Sequence, residues 1–468
     1  MVQVLSWHEN EVWNKHVESV WFPCLDEGSI PSSSTNVVLI GNLTLVRALR
    51  PEGQSDFVDD DSLQLHSLIT KTMAKQLTPK VSWVGKVDWE LTHFHGDELS
   101  TFRGSSYNSY LVRDQKVALI DTVWQPYDKE FVSRLKQEID LQKIDYIVMN
   151  HNEIDHSGAL PELMREIPNV PIYCTKKGEA IIRGHYHQDW NFVNVKTGDT
   201  LSLGENTLTF VEMTMMHWPD SMLTYYDGDG GVVFSNDAFG QHFATESLYN
   251  DRVCAAELMY EAEKYYANIL NPFSAMVAKK IPQIEAMNLP MNLICPSHGV
   301  IWKDNPAQII EKYKQWCDAY QEDQITIVYD TMWQSTRKMA EAIADGIREV
   351  SPQTTVKIMN INRDDKNDAL TEMWRSKAVL VGSPTINNGH SFAIAGLLEM
   401  ASGLKFKNKK AAAFGSYGWG GGAVKQITAK LEEAGFALVN DSLQKLWVPD
   451  QSVLAECTEY GRQFAQAL

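Results

Sequence analysis

The residues best suited to chemistry in this 468-residue chain lie in the octapeptide HNEIDHSG, His151 to Gly158. It directly follows the apolar stretch DYIVMN and offers four metal-ligating side chains, His151, Glu153, Asp155 and His156. A loop leaving a strand can turn several side chains toward one point, whereas side chains within a strand alternate faces. Three more candidates follow apolar runs: His217 in MMHWPD, Asp237 directly after GVVFSN, and His298 directly after NLICPS. Imidazoles and carboxylates gathered from separate strand ends are a hard-to-borderline donor set, and they suit iron. With a carboxylate between them, two ions about 3.5 Å apart could bind both ends of a small diatomic molecule.

A second constellation comes from three loops near the C-terminus. Thr331-Met332-Trp333-Gln334-Ser335-Thr336 joins an apolar strand to a helix and lines an anion-binding position with hydroxyls and free N–H groups. It has neither the lysine nor the glycines of a GxxxxGK loop, which excludes a nucleoside triphosphate P-loop. The loops SPTINNG, with Ser383, Pro384, Thr385, Asn387 and Asn388, and GSYGWGGG, with Ser416, Tyr417, Gly418 and Trp419, follow later strands. Glycines allow close backbone approach to a planar ring, and Trp333, Tyr417 or Trp419 could stack on it. Together the loops predict FMN, and the absence of GxGxxG argues against direct NAD(P)H binding.

These groups need elements to position them. From Val81, short apolar runs alternate with helical stretches such as Leu160–Ile167 and Ala255–Leu270. The predicted strands are Ser109–Val112, Val117–Ile120, Tyr146–Met149, Ile172–Cys174, Leu208–Val211, Val232–Phe234 and Leu293–Cys295, an α/β sandwich. A second rhythm starts at Ile325 and alternates five strands with helices, as in a doubly wound parallel sheet. In its first helix Met339, Ile343, Ile347 and Val350 recur at helical spacing and are expected on the sheet. The expected division is an extension over 1–78, a metal domain over 79–323 and a flavin domain over 324–468. The extension shows no sustained period. It is read as disordered or as a start upstream of the natural one at Met73, and no chemistry is assigned to it.

Composition narrows the function classes. With 42 basic and 60 acidic side chains the net charge is -18, which argues against nucleic acid or an anionic membrane as the main partner. No run reaches the roughly 18–20 apolar residues of a membrane span, and no secretory signal opens the chain, so a soluble protein is expected. The six cysteines are scattered and never form CxxC, which excludes a rubredoxin-type or zinc-knuckle site and fits a reducing cytoplasm.

The HxExDH motif, with His217, Asp237 and His298 at these spacings, resembles the metallo-β-lactamase-fold domain of the flavodiiron proteins. Hydrolases of that superfamily usually carry HxHxDH, and Glu153 here replaces the second histidine. The segments FHG (Phe94–Gly96), RGSSYNSYL (Arg103–Leu111) and HWPDSM (His217–Met222) are similar too, as are the three flavin loops. The resemblance runs from Val81 to the C-terminus. It implies that His151, Glu153 and His217 hold one iron, Asp155 and His298 a second, and that Asp237 bridges them. His156 is expected to stand behind the ligands, and His95 is the candidate proton donor.

The implied activity passes electrons through FMN to a diiron site that reduces O2 to water, NO to N2O, or both. The implied assembly is a head-to-tail homodimer, or a dimer of dimers, in which the FMN of one subunit meets the diiron centre of the other. Without CxxC the electrons are expected from an external rubredoxin or a rubredoxin reductase. Two other readings stay open at this point: a zinc hydrolase fused to a flavodoxin-like domain, and an electron carrier with a structural metal.

Overall fold

A computed structural model describes residues 74–468 and the backbone of two earlier strands, Thr35–Ile40 and Leu43–Ala48. The chain divides into two compact units, Met1–Thr72 and Met73–Leu468. In the first unit the two strands pair antiparallel, with Thr35 opposite Ala48 and Ile40 opposite Leu43. This corrects the expectation of no strand character. Two apolar runs separated only by Gly-Asn are a hairpin signal, and it outweighs the polar flanks. The rest of that segment, with the expected disorder and the start at Met73, lies outside the described residues.

The second unit begins earlier than the expected boundary at 79. Lys75–Gln76 already forms an edge strand against Val81–Trp83. A seven-stranded sheet runs in the order Phe192–Asn194, Ile172–Cys174, Tyr146–Val148, Val117–Ile120, Tyr110–Arg113, Val81–Trp83, Lys75–Gln76. Facing it is a five-stranded sheet ordered Thr200–Ser202, Thr207–Glu212, Met222–Tyr226, Val232–Asn236, Leu293–Pro296.

The two-residue alternation of the strands sorts their side chains into layers. Val112, Ala118, Ile120 and Val148 share one core with Phe210, Met222, Phe234 and Cys295 between the sheets. Their neighbours Leu111, Leu119 and Ile147 point outward, under helices Asp128–Glu138, Leu160–Glu166 and Lys176–Tyr186. On the far side of the second sheet, Val211, Leu223, Val233 and Ile294 pack with residues of helices Ala255–Tyr265, Ser274–Ala286 and Ala307–Trp316. The result is an αββα sandwich. The expected helix Ala255–Leu270 is α-helical only to Tyr265 and continues as a π-turn over Tyr266–Leu270.

The second sheet system is parallel, ordered Thr355–Asn360, Glu322–Tyr329, Ser376–Pro384, Lys410–Tyr417, Ala437–Leu438, with Leu443–Leu446 also pairing with Lys410–Tyr417. Its first strand starts at Glu322, three residues before the expected Ile325, so the expected boundary between 323 and 324 falls inside the sheet. Glu322 pairs with Ser376, and its carboxylate accepts from Arg375 Nε at 3.0 Å and Nη2 at 3.1 Å. Polar residues thus extend the strand because their partners come from distant sequence. Met339, Ile343 and Ile347 are buried as expected, but Val350 ends the helix and is exposed.

Candidate metal centre and flavin cavity

Each predicted ligand leaves a strand end on the same rim of the sandwich. His151 follows Tyr146–Val148 by way of Asn150, whose N–H and side-chain amide donate to Asp121 at 2.7 and 3.0 Å and anchor the strand exit. The short helix Ile154–Ser157 then turns Asp155 and His156 inward, while Ile154 faces solvent. Asn236 adopts φ 58°, a conformation asparagine tolerates, and this redirects the chain at Asp237. His217 comes from the loop before Met222–Tyr226, and His298 follows Leu293–Pro296.

The side chains converge as two groups around one carboxylate. On one side His151 Nε2 lies 3.6 Å and His217 Nε2 3.2 Å from Asp237 Oδ2, and Glu153 Oε2 is 3.3 Å from His151 and 3.7 Å from His217. On the other, His156 Nε2 lies 3.0 Å and His298 Nε2 3.6 Å from Asp237 Oδ1. Asp155 Oδ2 is 3.2 Å from His156 and 3.0 Å from His298. His151, Asp237 and His298 are at most 2% exposed.

Among the described residues, both Asp237 oxygens and Asp155 Oδ1 lack a hydrogen-bond donor. Two buried carboxylates with lone pairs unsatisfied, beside the half-buried Glu153, are very costly unless cations share the pocket. The donor set therefore fits two metal ions.

His156 departs from expectation. Placed next to Asp155 on a single helical turn, it presents Nε2 to the focus instead of standing behind it, and its Nδ1 has no partner. His151 Nδ1 contacts Asp220 Oδ1 at 3.1 Å, and Asp220 Oδ2 accepts from Asn152 N at 2.9 Å and Nδ2 at 2.8 Å. His298 Nδ1 donates to Ser106 O at 2.7 Å. These outer bonds orient the rings and leave Nε2 for a metal.

The electrostatics follow from crowding. Burial pulls His151 down, yet its contacts with Asp220 and Glu153 hold it well above the usual imidazole range. Burial likewise opposes, and Asp155 and Asp237 overcome it to raise His156 to about 9. Asp237 is held well below the usual carboxylate range by His156, His217 and His151, against the effect of burial. Without cations, then, protons on imidazoles offset the carboxylates at positions where metal ions would compete with them.

Sequence reasoning missed Asp220, although it lies inside HWPDSM, because a buried carboxylate behind a histidine leaves no spacing signal. It also missed His242, whose ring centroid is 5.0 Å from that of His298 and whose Nδ1 is 2.9 Å from Ser105 Oγ. Burial holds His242 well below its ordinary value, so it is neutral. His95, the expected proton donor, does reach the site: its Nε2 is 2.9 Å from Glu153 Oε1. That hydrogen bond raises the imidazole above its ordinary value even though burial opposes it.

The three flavin loops meet at the carboxyl ends of the parallel strands and enclose a cavity of about 620 Å3. Thr331, Met332, Trp333, Ser335, Pro384, Thr385, Asn387, Asn388, Ser416, Tyr417, Gly418 and Trp419 line it as expected. Gln334, Thr336 and Ser383 do not. Gln334 carries the turn at φ 66°, Thr336 Oγ1 bonds Ser416 Oγ at 3.0 Å, and Ser383 Oγ accepts from Ser391 N at 2.9 Å. Gly420, Trp447 and Val448 join the lining unpredicted, the last two just beyond the strand Leu443–Leu446. Thr331 Oγ1 is buried without a partner among the described residues, beside a helix N-terminus, as a phosphate site requires. The cavity fits FMN.

Residues 106–299 match the family described as ODP family beta lactamase, and residues 327–461 match the flavodoxin family. The rubredoxin oxygen:oxidoreductase of Desulfovibrio gigas superposes with a TM-score of 0.81 at 35% identity, covering 84% of this chain and 98% of that one. The flavodiiron protein of Giardia intestinalis gives 0.80 at 33% identity, covering 85% and 97%. The anaerobic nitric oxide reductase flavorubredoxins of Escherichia coli O1:K1 and Klebsiella pneumoniae are each 55% identical over 388 residues. That match covers 82% of this chain and 81% and 80% of theirs. The chain belongs to the flavodiiron protein family.

Proposed function

We propose that this protein is a flavodiiron oxidoreductase that takes electrons from a rubredoxin-type donor through FMN and reduces NO to N2O, O2 to water, or both. The observation that carries this reading is the division of Asp237, with Oδ2 facing His151, Glu153 and His217 and Oδ1 facing Asp155, His156 and His298. Asp237 would bridge two irons. His151, Glu153 and His217 would complete one coordination shell, and Asp155, His156 and His298 the other. A bound ferrous pair would supply electrons to a diatomic substrate, and bound FMN would resupply them.

The chain's own residues do the rest. Asp220 and the Ser106 carbonyl fix the ring orientations of His151 and His298. Neutral His242 and the rings of Phe94 and Tyr265 pack around His298 and exclude bulk water there. His95, partly exposed and bonded to Glu153, can pass a proton from solvent to the reacting site. Glu153 in place of a histidine favours iron over zinc by adding a hard oxygen donor, which supports reduction over hydrolysis.

Two features support the proposed partners. The flavin cavity is lined by residues between Thr331 and Val448 and includes no ligand of the metal centre. Trp333 and Trp419 on its rim are 80% and 93% exposed, which suits docking of the cavity against a second subunit's metal domain in a head-to-tail dimer. A rubredoxin-type site is the fitting donor, and these 468 residues contain no CxxC from which to build one. Among the described residues no helix is long and apolar enough to cross a membrane, and the described cysteines are free, which suits a reducing cytoplasm.

The deciding experiment measures bound metal and flavin in the purified protein, then anaerobic turnover of NO and of O2 with the same reduced rubredoxin. Two irons and one FMN per chain, with stoichiometric N2O or water, are expected. Two zinc ions with hydrolytic turnover, or flavin reoxidation without product, would overturn the reading.

A further inference from the structure

His95 sits on a very small element. Its hairpin consists of His93–Phe94 and Leu99–Ser100, registered His93 to Ser100 and Phe94 to Leu99. Two strands of two residues cannot hold a conformation unaided. Phe94 and Leu99 are buried in the outer core of the metal domain, but the backbone around them needs other partners.

Those partners come from the other domain. Ser100 N donates to Asn367 Oδ1 at 3.0 Å, and Asn367 Nδ2 donates to the Glu98 carbonyl at 3.0 Å. Ser100 Oγ donates to Asp365 Oδ1 at 2.6 Å, and Lys366 Nζ lies 3.1 Å from Asp97 Oδ2. Asp365 caps the helix Lys366–Arg375, so these groups stand on the rigid first turn of an element packed against the parallel sheet. A third element closes the joint. Asn367 Nδ2 also donates to Asn268 Oδ1 at 3.0 Å, and Lys264 Nζ lies 2.7 Å from Asp368 Oδ1 and 3.2 Å from Asp365 Oδ1.

Asn367 is 1% exposed, and both of its polar atoms are used. Its loss would leave the Ser100 N–H and the Glu98 carbonyl without their partners at the base of the hairpin. At the tip, three residues back from Glu98, is His95 with its 2.9 Å contact to Glu153.

We propose that Asn367, assisted by Asp365, is a positioning residue for the metal centre: the flavin domain clasps the 93–100 hairpin and thereby sets His95 against Glu153. This rests on the flavodiiron reading above. The flavin domain then serves the metal centre of its own chain by contact, besides its role in electron supply. The bond pattern favours this over plain interdomain adhesion. Adhesion is already provided elsewhere, by Arg375 with Glu263 and by the packing of Trp374 on Trp316 and Tyr266.

The test uses the full chain loaded with iron and FMN, comparing wild type with Asn367→Ala, His95→Ala, the double variant, Ser100→Ala and, as an adhesion control, Arg375→Ala. Asn367→Ala is expected to lower kcat about three- to tenfold, with the KM for the donor unchanged. It should also speed hydrogen exchange across residues 93–100. The double variant should fall no further than His95→Ala alone, because both changes remove one device. Arg375→Ala should lower Tm while leaving kcat and hairpin exchange as in wild type. If Asn367→Ala does not fold, Ser100→Ala carries the test, with about a twofold fall in kcat and faster exchange expected. Multiplying effects in the double variant, or unchanged kcat in whichever variant carries the test, would overturn the proposal. If wild type turns over neither gas, the functional reading fails instead. The hairpin exchange rates still report on the clasp, and equal rates in wild type and Asn367→Ala would remove it.

Discussion

The two sites of this protein are built on opposite plans. The metal centre is closed: its ligands leave strand ends of the αββα sandwich, and most are buried and oriented by further hydrogen bonds. The flavin cavity is open. Its loops are set by sheet topology, and its aromatic rim, Trp333, Trp419 and Trp447, is at least half exposed. Metal coordination needs several atoms placed to within tenths of an ångström, so side-chain networks specify the first site. A planar cofactor needs a slot and an anion cradle, which backbone alone can supply. The second site is left for its ligand to complete.

This contrast predicts graded sensitivity. The largest effect belongs to Asp237→Ala, which removes the carboxylate shared by both groups. It should lose both irons and at least a hundredfold of turnover, on the order of the upper effects of ligand loss. The apo-protein should keep or gain thermal stability, since one of the two buried, unsatisfied carboxylates is gone. Metal analysis beside a melting curve checks both, and retention of two irons with full turnover would refute the bridge.

Asp220→Ala comes next. It leaves all ligands in place but frees the ring of His151, so iron affinity should fall about ten- to a hundredfold, measured by competition with a chelator. If affinity is unchanged, the orientation of His151 does not depend on that bond.

Trp419→Ala should have a smaller effect, weakening FMN binding by about 1 kcal/mol, roughly fivefold, without altering iron content. Fluorescence titration of the deflavinated protein measures it. A loss of iron on this change would contradict the independence of the two sites.

The last effect is on stability alone and lies outside both sites. Lys409 is 1% exposed, its Nζ donates to the Tyr320 carbonyl, and burial lowers it to about 7. Below pH 7 it is charged in both folded and unfolded chains, so the folded state bears the full burial penalty. Between pH 7 and the ordinary lysine range the unfolded chain holds a proton that the folded chain does not. Stability should therefore rise with pH over that window. Lys409→Met should flatten this slope in denaturant titrations at pH 7 to 10.

The chain itself determined the donor inventory and the order of both sites. The seven metal-site residues could be picked out and come together at one rim, because the loops that bear them abut unmistakably apolar strands, and strand-to-loop transitions are local. The flavin loops were legible for the same reason. Tertiary structure alone decided the rest. His156 turns inward because Ile154 faces solvent on a one-turn helix, which no spacing reveals. Asp220 matters through a histidine sixty-nine positions away. Trp447 and Val448 reach the cavity because Leu443–Leu446 pairs with a strand already in the sheet. Glu322 extends a strand through Arg375, and Asn367 clasps a hairpin more than two hundred and sixty positions earlier. Periodicity reports which face of an element is buried. It carries no information on which distant polar atom will satisfy a buried donor, and that pairing exists only once the chain has folded.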